Sequence, residues 1–492
     1  MKKIYAVGVG GSGAKCIESL VFLQALGLLG ATHLVILLVD ADRDNGNSQR
    51  TSANLQATLQ CQQLFQQGKT EWMKYSLTDY ELWNPLGDLV HQSNLEAIFN
   101  KQVLTKTPLA KMLDALYSPA EQAADLGVGF RGRPPIGSAV MSRLELAPDS
   151  QAAGKWHKWF NTLLSEVSSG EEVAIHLFGS IFGGTGASGV PTLANVIANH
   201  LQDQQCRQRV HLNASILLPY FGFEKPEDGE QKVYAETRFF ALNTQAALQY
   251  LTDQGEGIFD SVYLIGHPEK QFYSSATGGT QQRNLAHFVE LYAALAVNHG
   301  WQQAIGETQA FYMSCGQLEH LSWQDLPEPE LVKPRLAKGV RFAYAWRYNF
   351  SLELKTACNL GAKKFARGAP WFSHFFALQE DAGPTPAVTA PDQIQQAQLL
   401  DQWAYRFLCW SQQLASSNPR SQQFFNLQDL TDLDSDSPKY REELHSLLLD
   451  VEQSHSQRRN DRLDTIKAQL GDRGHTYGKG IPGLAHALFD LL

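Results

Sequence analysis

Three glycine-rich stretches contain the residue types that could hold a phosphate. The first reads Gly8-Val9-Gly10-Gly11-Ser12-Gly13, after a β-branched and aromatic run (residues 4–9) and before a helical pattern (residues 14–28). Glycine lets the backbone approach an anion closely, and the N-terminus of the following helix offers unpaired N–H groups and a positive dipole end. Gly8, Gly10 and Gly13 also fit G-x-G-x-x-G, and Asp40 closes the next strand, where a ribose-binding acid would sit. On this loop alone a dinucleotide site is as good a reading as any other phosphate site, and a ligand-free tight turn is a third.

The second stretch separates these readings. After a strand pattern (residues 173–178) comes Gly179-Ser180-Ile181-Phe182-Gly183-Gly184-Thr185-Gly186-Ala187-Ser188-Gly189, then another helix. A pyrophosphate needs one helix N-terminus, so two such loops suggest a triphosphate gripped from two sides, with Thr185 and Ser188 adding hydroxyls. The third stretch, Gly127-Val128-Gly129-Phe130-Arg131-Gly132-Arg133-Pro134-Pro135-Ile136-Gly137, contains two arginines. Their planar forks suit phosphate oxygens, a solvated basic turn being the plainer alternative.

The elements that must position these loops follow an α/β alternation. Strand 4–9, helix 14–28 and strand 34–39 open a doubly wound fold. Residues 45–125 are Gln-rich (Gln56, Gln60, Gln62, Gln63, Gln66, Gln67) and mostly helical in pattern, with Pro85 as a break. Alternation resumes with strand 173–178, helix 185–202, strand 210–217, helix 236–251, strand 261–266 and helix 284–298. Beyond Trp323 helical patterns dominate, interrupted at residues 381–391 and 416–438. The expected fold class is α/β, with a doubly wound, mostly parallel sheet from residues 1–45 and 125–325. A helical insertion (46–124) and a mainly helical C-terminal domain (326–492) complete the expected organisation.

Composition narrows the function classes. The 492 residues are 43% hydrophobic and 18% charged, with a net charge of −9. That is a globular balance and gives no reason to expect a nucleic-acid partner. The basic run Arg458, Arg459, Arg462 and Lys467 reads as a solvated helix face. Six widely spaced cysteines without a CxxC pair argue against a zinc or disulfide scaffold and fit a reducing cytoplasm. The apolar stretch 20–39 is broken by Gln24, Thr32 and His33, so no membrane span is expected.

Gly10-Gly11-Ser12-Gly13, then Asp40-Ala41-Asp42, then Gly183-Gly184-Thr185-Gly186 resemble, in that order, the nucleotide loops of the tubulin/FtsZ superfamily. The likeness is nearest to its divergent bacterial tubulin-like members and runs from Met1 to about Asn298, with a gap at the Gln-rich stretch. It implies GTP or GDP with Mg2+ as ligand. By the resemblance, Gly11 to Gly13 and Gly183 to Gly186 face the phosphates, with Gly10 in the same cofactor-binding loop. Gly129, Arg131, Gly132 and Arg133 belong to the third phosphate loop, and Asp42 lies near the phosphates or the magnesium. Pro219-Tyr220-Phe221 is similar to the sugar-proximal loop, which makes Glu224 a ribose contact. Asn243 corresponds to the asparagine that reads the guanine edge. Asn284 is the second base contact, although aligning on His287 places Ala286 there instead. Lys15 stands where an amide side chain helps hold the base.

Phe182 replaces the first glycine of the family signature and Ser188 the last. The family's Asn-x-Asp-x-x-Asp, which completes the hydrolytic site of the next subunit, is absent. Glu319 and Asp325 are among the nearer acids, as catalytic candidates. The expected function is a GTP-binding, tubulin-like protein that hydrolyses slowly and self-associates into oligomers or filaments. The alternative is a non-hydrolysing, nucleotide-bound scaffold or regulatory subunit of a bacterial multi-protein system, defence included, with partners on the helical C-terminal domain. A third reading, an NAD-dependent oxidoreductase, leaves residues 182–189 unexplained.

Overall fold

The computed structural model describes residues 2–87, 94–104, 106–146, 154–225, 235–255, 257–274, 278–312, 323–379, 383–417, 425–427, 444–448, 460, 462–471 and 473–492. The chain opens with β1 (Lys2–Val9), α1 (Gly10–Ala25), β2 (His33–Val39), α2 (Gly46–Phe65) and β3 (Ser76–Trp83). Five helices follow: α3 (Leu95–Ile98), α4 (Pro108–Leu116), α5 (Pro119–Ala123), α6 (Pro134–Leu146) and α7 (Gly154–Ser168). The alternation then continues through β4 (Glu172–Ser180), α8 (Gly184–Asp203), β5 (Val210–Leu217), β6 (Phe221–Phe223), α9 (Phe240–Gln254) and β7 (Ser261–Ile265). Next come β8 (Gln271–Tyr273), α10 (Phe288–Gly300) and β9 (Gln309–Tyr312). The last third holds α11 (Pro329–Ala345), α12 (Ser351–Leu360), α13 (Ala362–Phe365) and α14 (Pro391–Ser416), with a terminal helix over Gly480–Leu491.

Seven strands form one parallel sheet in the order β3-β2-β1-β4-β5-β7-β9, and β6 and β8 form a small parallel pair. The chain builds outward from β1 to β2 and β3, then returns to the other side of β1 with β4. The β1–β4 boundary is therefore the point where strand order reverses and the loops at the strand C-termini diverge. Gly8 pairs with Phe178 there, so the first and second glycine loops leave the sheet side by side. β1 and β2 are buried nearly end to end, which is why they read as continuous apolar runs.

The two faces of the sheet hold separate cores. Tyr5, Val7 and Val9 point into the core covered by α6, α7 and α8, where Tyr5 meets Trp159 edge-on at 5.4 Å. Ile4 and Ala6 point into a larger core built with α1, α2, α10 and the C-terminal helices. Phe22 of α1 lies 5.1 Å from Trp410 of α14, and Trp72 stacks on Phe489 of the terminal helix at 5.5 Å. The helical last third thus closes one face of the sheet through a continuous apolar cluster.

Residues 46–124, expected as a helical insertion, contribute α2 against α1 and also the edge strand β3. β3 (SLTDYELW) carries Thr78, Asp79 and Glu81 on a half-solvated edge, so no apolar run marks it in the sequence. No described helix is long and apolar enough to cross a membrane. Five cysteines among the described residues are free thiols, and Cys315 lies outside those residues.

Candidate functional site

A cleft opens at the C-terminal ends of β1 and β4, with about 90 Å³ of enclosed space below a mouth open to solvent. α1 begins at Gly10 and α8 at Gly184, both directly from a strand, and neither N-terminus has a side-chain cap. Two unspent sets of helix N–H groups therefore converge on one space, the arrangement that binds anions. Gly10 has φ +70°, and a Cβ there would lie 3.2 Å from the Cβ of Thr185, so the two loops approach at the limit glycine permits. Gly13 stands behind the loop: a Cβ on it would meet the carbonyl oxygen of Phe178 at 2.4 Å, so this glycine sets helix-to-strand distance and does not line the cleft.

The third loop closes the mouth with Val128 to Gly132. Gly129, Arg131 and Gly132 all have positive φ, and Arg131 Nε donates to the carbonyl of Asp125 at 3.1 Å. Arg133 turns away from the cleft, paired with Glu236 at 3.2 Å and placed over the ring of Phe239 at 4.8 Å. Its charge holds the loop's flank.

Asp40 and Asp42 line the wall between these loops. Asp40 accepts the Asp42 amide N–H at 3.2 Å and the Ser48 hydroxyl at 3.5 Å, while Asp42 accepts the N–H groups of Gly279 at 2.6 Å and Asp44 at 3.1 Å. Burial, then the neighbouring Asp42, pushes the Asp40 carboxyl up to about 7, and burial also raises Asp42. Two desolvated carboxylates beside an anion site suit a hard divalent cation. Among the described residues no group of three metal-ligating side chains occurs. Asp40 and Asp42 alone could hold Mg2+ only together with phosphate oxygens and water.

Lys15, Asn45, Asn47, Gln282 and Asn284 surround the far end of the cleft, with Phe182, Phe221, Phe223 and Phe240 as an aromatic wall. Lys15 pairs with Glu290 of α10, and its ammonium lies 3.4 Å from the Tyr220 hydroxyl. Asn284 is fixed through its backbone. Its N–H donates to Asn47 Oδ1 at 2.8 Å, and its carbonyl accepts from Arg50 at 2.6 Å. Arg50 in turn forks onto Glu18 through two bonds of 2.8 Å. Asn284, in the irregular segment that precedes α10, lines the cleft. Ala286 does not, since its N–H is spent on Gln413 of α14 at 2.9 Å. Phe182 packs on Phe240 at 4.9 Å and Phe221 at 5.1 Å, so a ring fills the wall where a glycine would leave a gap.

Gly10, Gly11, Ser12, Lys15, Asp40, Asp42, Gly129, Arg131, Gly132, Gly183 to Gly186 and Asn284 are thus brought together. The remaining candidates fall elsewhere. Ser188 hydrogen-bonds back to the carbonyl of Gly184 at 2.8 Å, behind the loop. Asn243 donates to the carbonyls of Gly132 at 3.3 Å and Phe182 at 3.0 Å, tying the second and third glycine loops to each other without lining the cleft. Glu224 is exposed, joined to Tyr273 through its backbone N–H at 2.9 Å. Asp325 ends a 3-10 turn (Trp323–Asp325) away from the cleft lining, and Glu319 lies outside the described residues.

Asn45, Asn47, Phe223, Ala235, Phe240 and Gln282 are lining residues that sequence reasoning did not single out. Asn45 caps α2, accepting from the N–H groups of Asn47 and Ser48, and donates to Gln282 at 3.2 Å. An N-cap asparagine before a helical pattern was the available signal.

No family model and no curated protein matches the sequence. Among solved structures, the GDP-bound monomer of CetZ1 from Haloferax volcanii is similar at 13% identity and a TM-score of 0.27, over 54% of this chain. The chain spans about half, 51%, of that protein.

Proposed function

We propose that the chain binds a guanine nucleotide, GTP or GDP, with Mg2+ at the β1–β4 cleft. The observation that carries this reading is the convergence of two uncapped helix N-termini, the Arg131 loop and the Asp40–Asp42 acid pair on one cleft. The N–H groups of both helices would hold the phosphates, and the carboxylates would retain the metal, which supplies charge neutralisation between phosphate oxygens. The base would lie between the aromatic wall and Lys15. An ammonium offers only donors, which suits the O6 and N7 acceptors of guanine and opposes the amino group of adenine. Asn284 adds an amide that can both donate and accept.

The reading favours holding over turnover in the isolated chain. Asp40 and Asp42 are the carboxylates of the cleft lining, and both already accept hydrogen bonds that fix their own loop. The test is to identify nucleotide released on denaturing the purified protein, followed by titration with GDP, GTP and ATP in the presence of Mg2+. Failure of all three to bind at micromolar concentration rejects the proposal. GTP turnover per chain, measured against protein concentration, separates a held ligand from a site completed by self-association: a steep rise supports the second.

A further inference from the structure

A second cavity, of about 410 Å³, lies between α6, α8 and α9 and shares no lining residue with the cleft. Ile181, Ala187 and Ser188 line it and flank residues 182–186 in the chain, so cavity and cleft lie against the same loop. Ile216, Ala247 and Leu251 continue an apolar wall, and no charged side chain occurs among the described residues that line it. Its volume falls within the range of small-molecule sites.

The polar groups of this cavity that are not exposed share one property; the hydroxyls of Ser138 and Tyr250, which also line it, are exposed. Thr192 donates its hydroxyl proton to the carbonyl of Ser188 at 2.8 Å, Ser142 to that of Ala139 at 2.9 Å, and Ser188 to that of Gly184 at 2.8 Å. A hydroxyl has one proton, so what remains for a ligand is lone pairs. The Asn243 amide nitrogen is engaged with the carbonyls of Gly132 and Phe182, which leaves its carbonyl oxygen as an acceptor too. A charged guest would lose its hydration here without a counter-charge, and a guest with acceptors alone would face other acceptors. α9 buries only Phe240, so the wall it forms can adjust to a guest.

We propose that this cavity binds an uncharged, largely apolar small molecule carrying a hydrogen-bond donor, of the phenol or alcohol class. The groove between α12 and α14 is lined by Arg347, Lys355 and Asp401 and serves as the charged control site. The proposal stands apart from the nucleotide reading, because the measurement uses the full-length chain freed of nucleotide.

The probe is 1-naphthol, titrated by fluorescence and compared with 1-methoxynaphthalene, which has the same body without the donor. One naphthol site is expected, with the methoxy compound about fivefold weaker, the size of one hydrogen bond. Ala247→Phe, which fills the cavity, is expected to weaken naphthol binding about tenfold or more. Ala397→Phe in the α12–α14 groove leaves it unchanged. Thr192→Val removes an acceptor at constant shape and narrows the gap between the two probes; it tests the site even where Ala247→Phe compromises folding. Equal affinity for both probes, absence of naphthol binding, or loss of binding in Ala397→Phe but not in Ala247→Phe overturns the proposal.

Discussion

Lys15 of α1 and Glu290 of α10 form an ion pair from which water is excluded, with side-chain exposures of 1% and 0%. Tyr220 donates to the same carboxylate oxygen, and the other oxygen accepts the His287 N–H at 2.7 Å. Burial lowers the Lys15 pKa and raises that of Glu290, and each charge is kept by the other. Lys15→Met, which leaves the carboxylate buried and unpaired, is therefore expected to cost about 3–5 kcal/mol in urea unfolding. The double variant Lys15→Met/Glu290→Gln should lose much less than the sum of the single changes. Additive losses would show that the pair is not coupled.

Two glycines two residues apart should fail in different ways. A Cβ on Gly13 meets backbone atoms of Phe178 and Gly8 that cannot yield, so Gly13→Ala is expected to lower the thermal midpoint by several degrees. On Gly11 the nearest atoms, at 3.1 Å, belong to the Asn45 and Asn47 side chains, which can move. Gly11→Ala should keep the midpoint within a degree or two and weaken GDP binding, read by isothermal titration calorimetry.

Asn243 and Asn284 should separate phosphate from base. Asn243→Ala frees two carbonyls that join the phosphate loops, so affinity for GDP and ADP should fall together, by about 1 kcal/mol. Asn284→Ala should weaken GDP more than ADP. Competition titrations against one fluorescent nucleotide give both ratios, and the same ratio for the two variants would contradict the assignment.

His176 sits at the centre of the sheet, with Nε2 2.8 Å from the Ser215 hydroxyl, and burial lowers its pKa to about 3. The folded chain keeps it neutral while the unfolded chain protonates near 6.5, so the unfolded state binds more protons between those values. Stability from this group is complete above pH 6.5 and is lost as pH falls toward 3, by about 1.4 kcal/mol per unit. His176→Phe keeps a ring against Phe178, and Ser215 still donates to Ala293 at 3.1 Å. Urea midpoints measured from pH 7 to pH 4 should show a shallower acid decline in this variant.

The sequence carried the strand-loop-helix units because β1, β2, β4 and β5 are buried on both faces and their glycines mark close approaches that no other residue allows. β3 and β9 escaped notice, one polar along a solvated edge and the other four residues long. The far end of the cleft was less legible than the end built by the glycine loops. Those loops line it with backbone at chain positions that glycine marks, whereas Asn47, Gln282 and Phe240 reach the cleft only through tertiary packing. Asn243 illustrates the limit: the resemblance made it a base contact, and its amide nitrogen bonds the carbonyls of Gly132 and Phe182.

Along one stripe of α14, Arg406 donates to Asn54 at 3.1 Å, Trp410 to Ser19 at 3.3 Å, and Gln413 accepts from Ala286 at 2.9 Å. Those three partners belong to α2, α1 and the segment entering α10, the elements that frame the far end of the cleft. The helical last third is thus a keystone and not an appendage. A fragment ending at residue 325 would bare the aromatic faces of Phe22 and Trp72 and leave the far end of the cleft without its outer buttress.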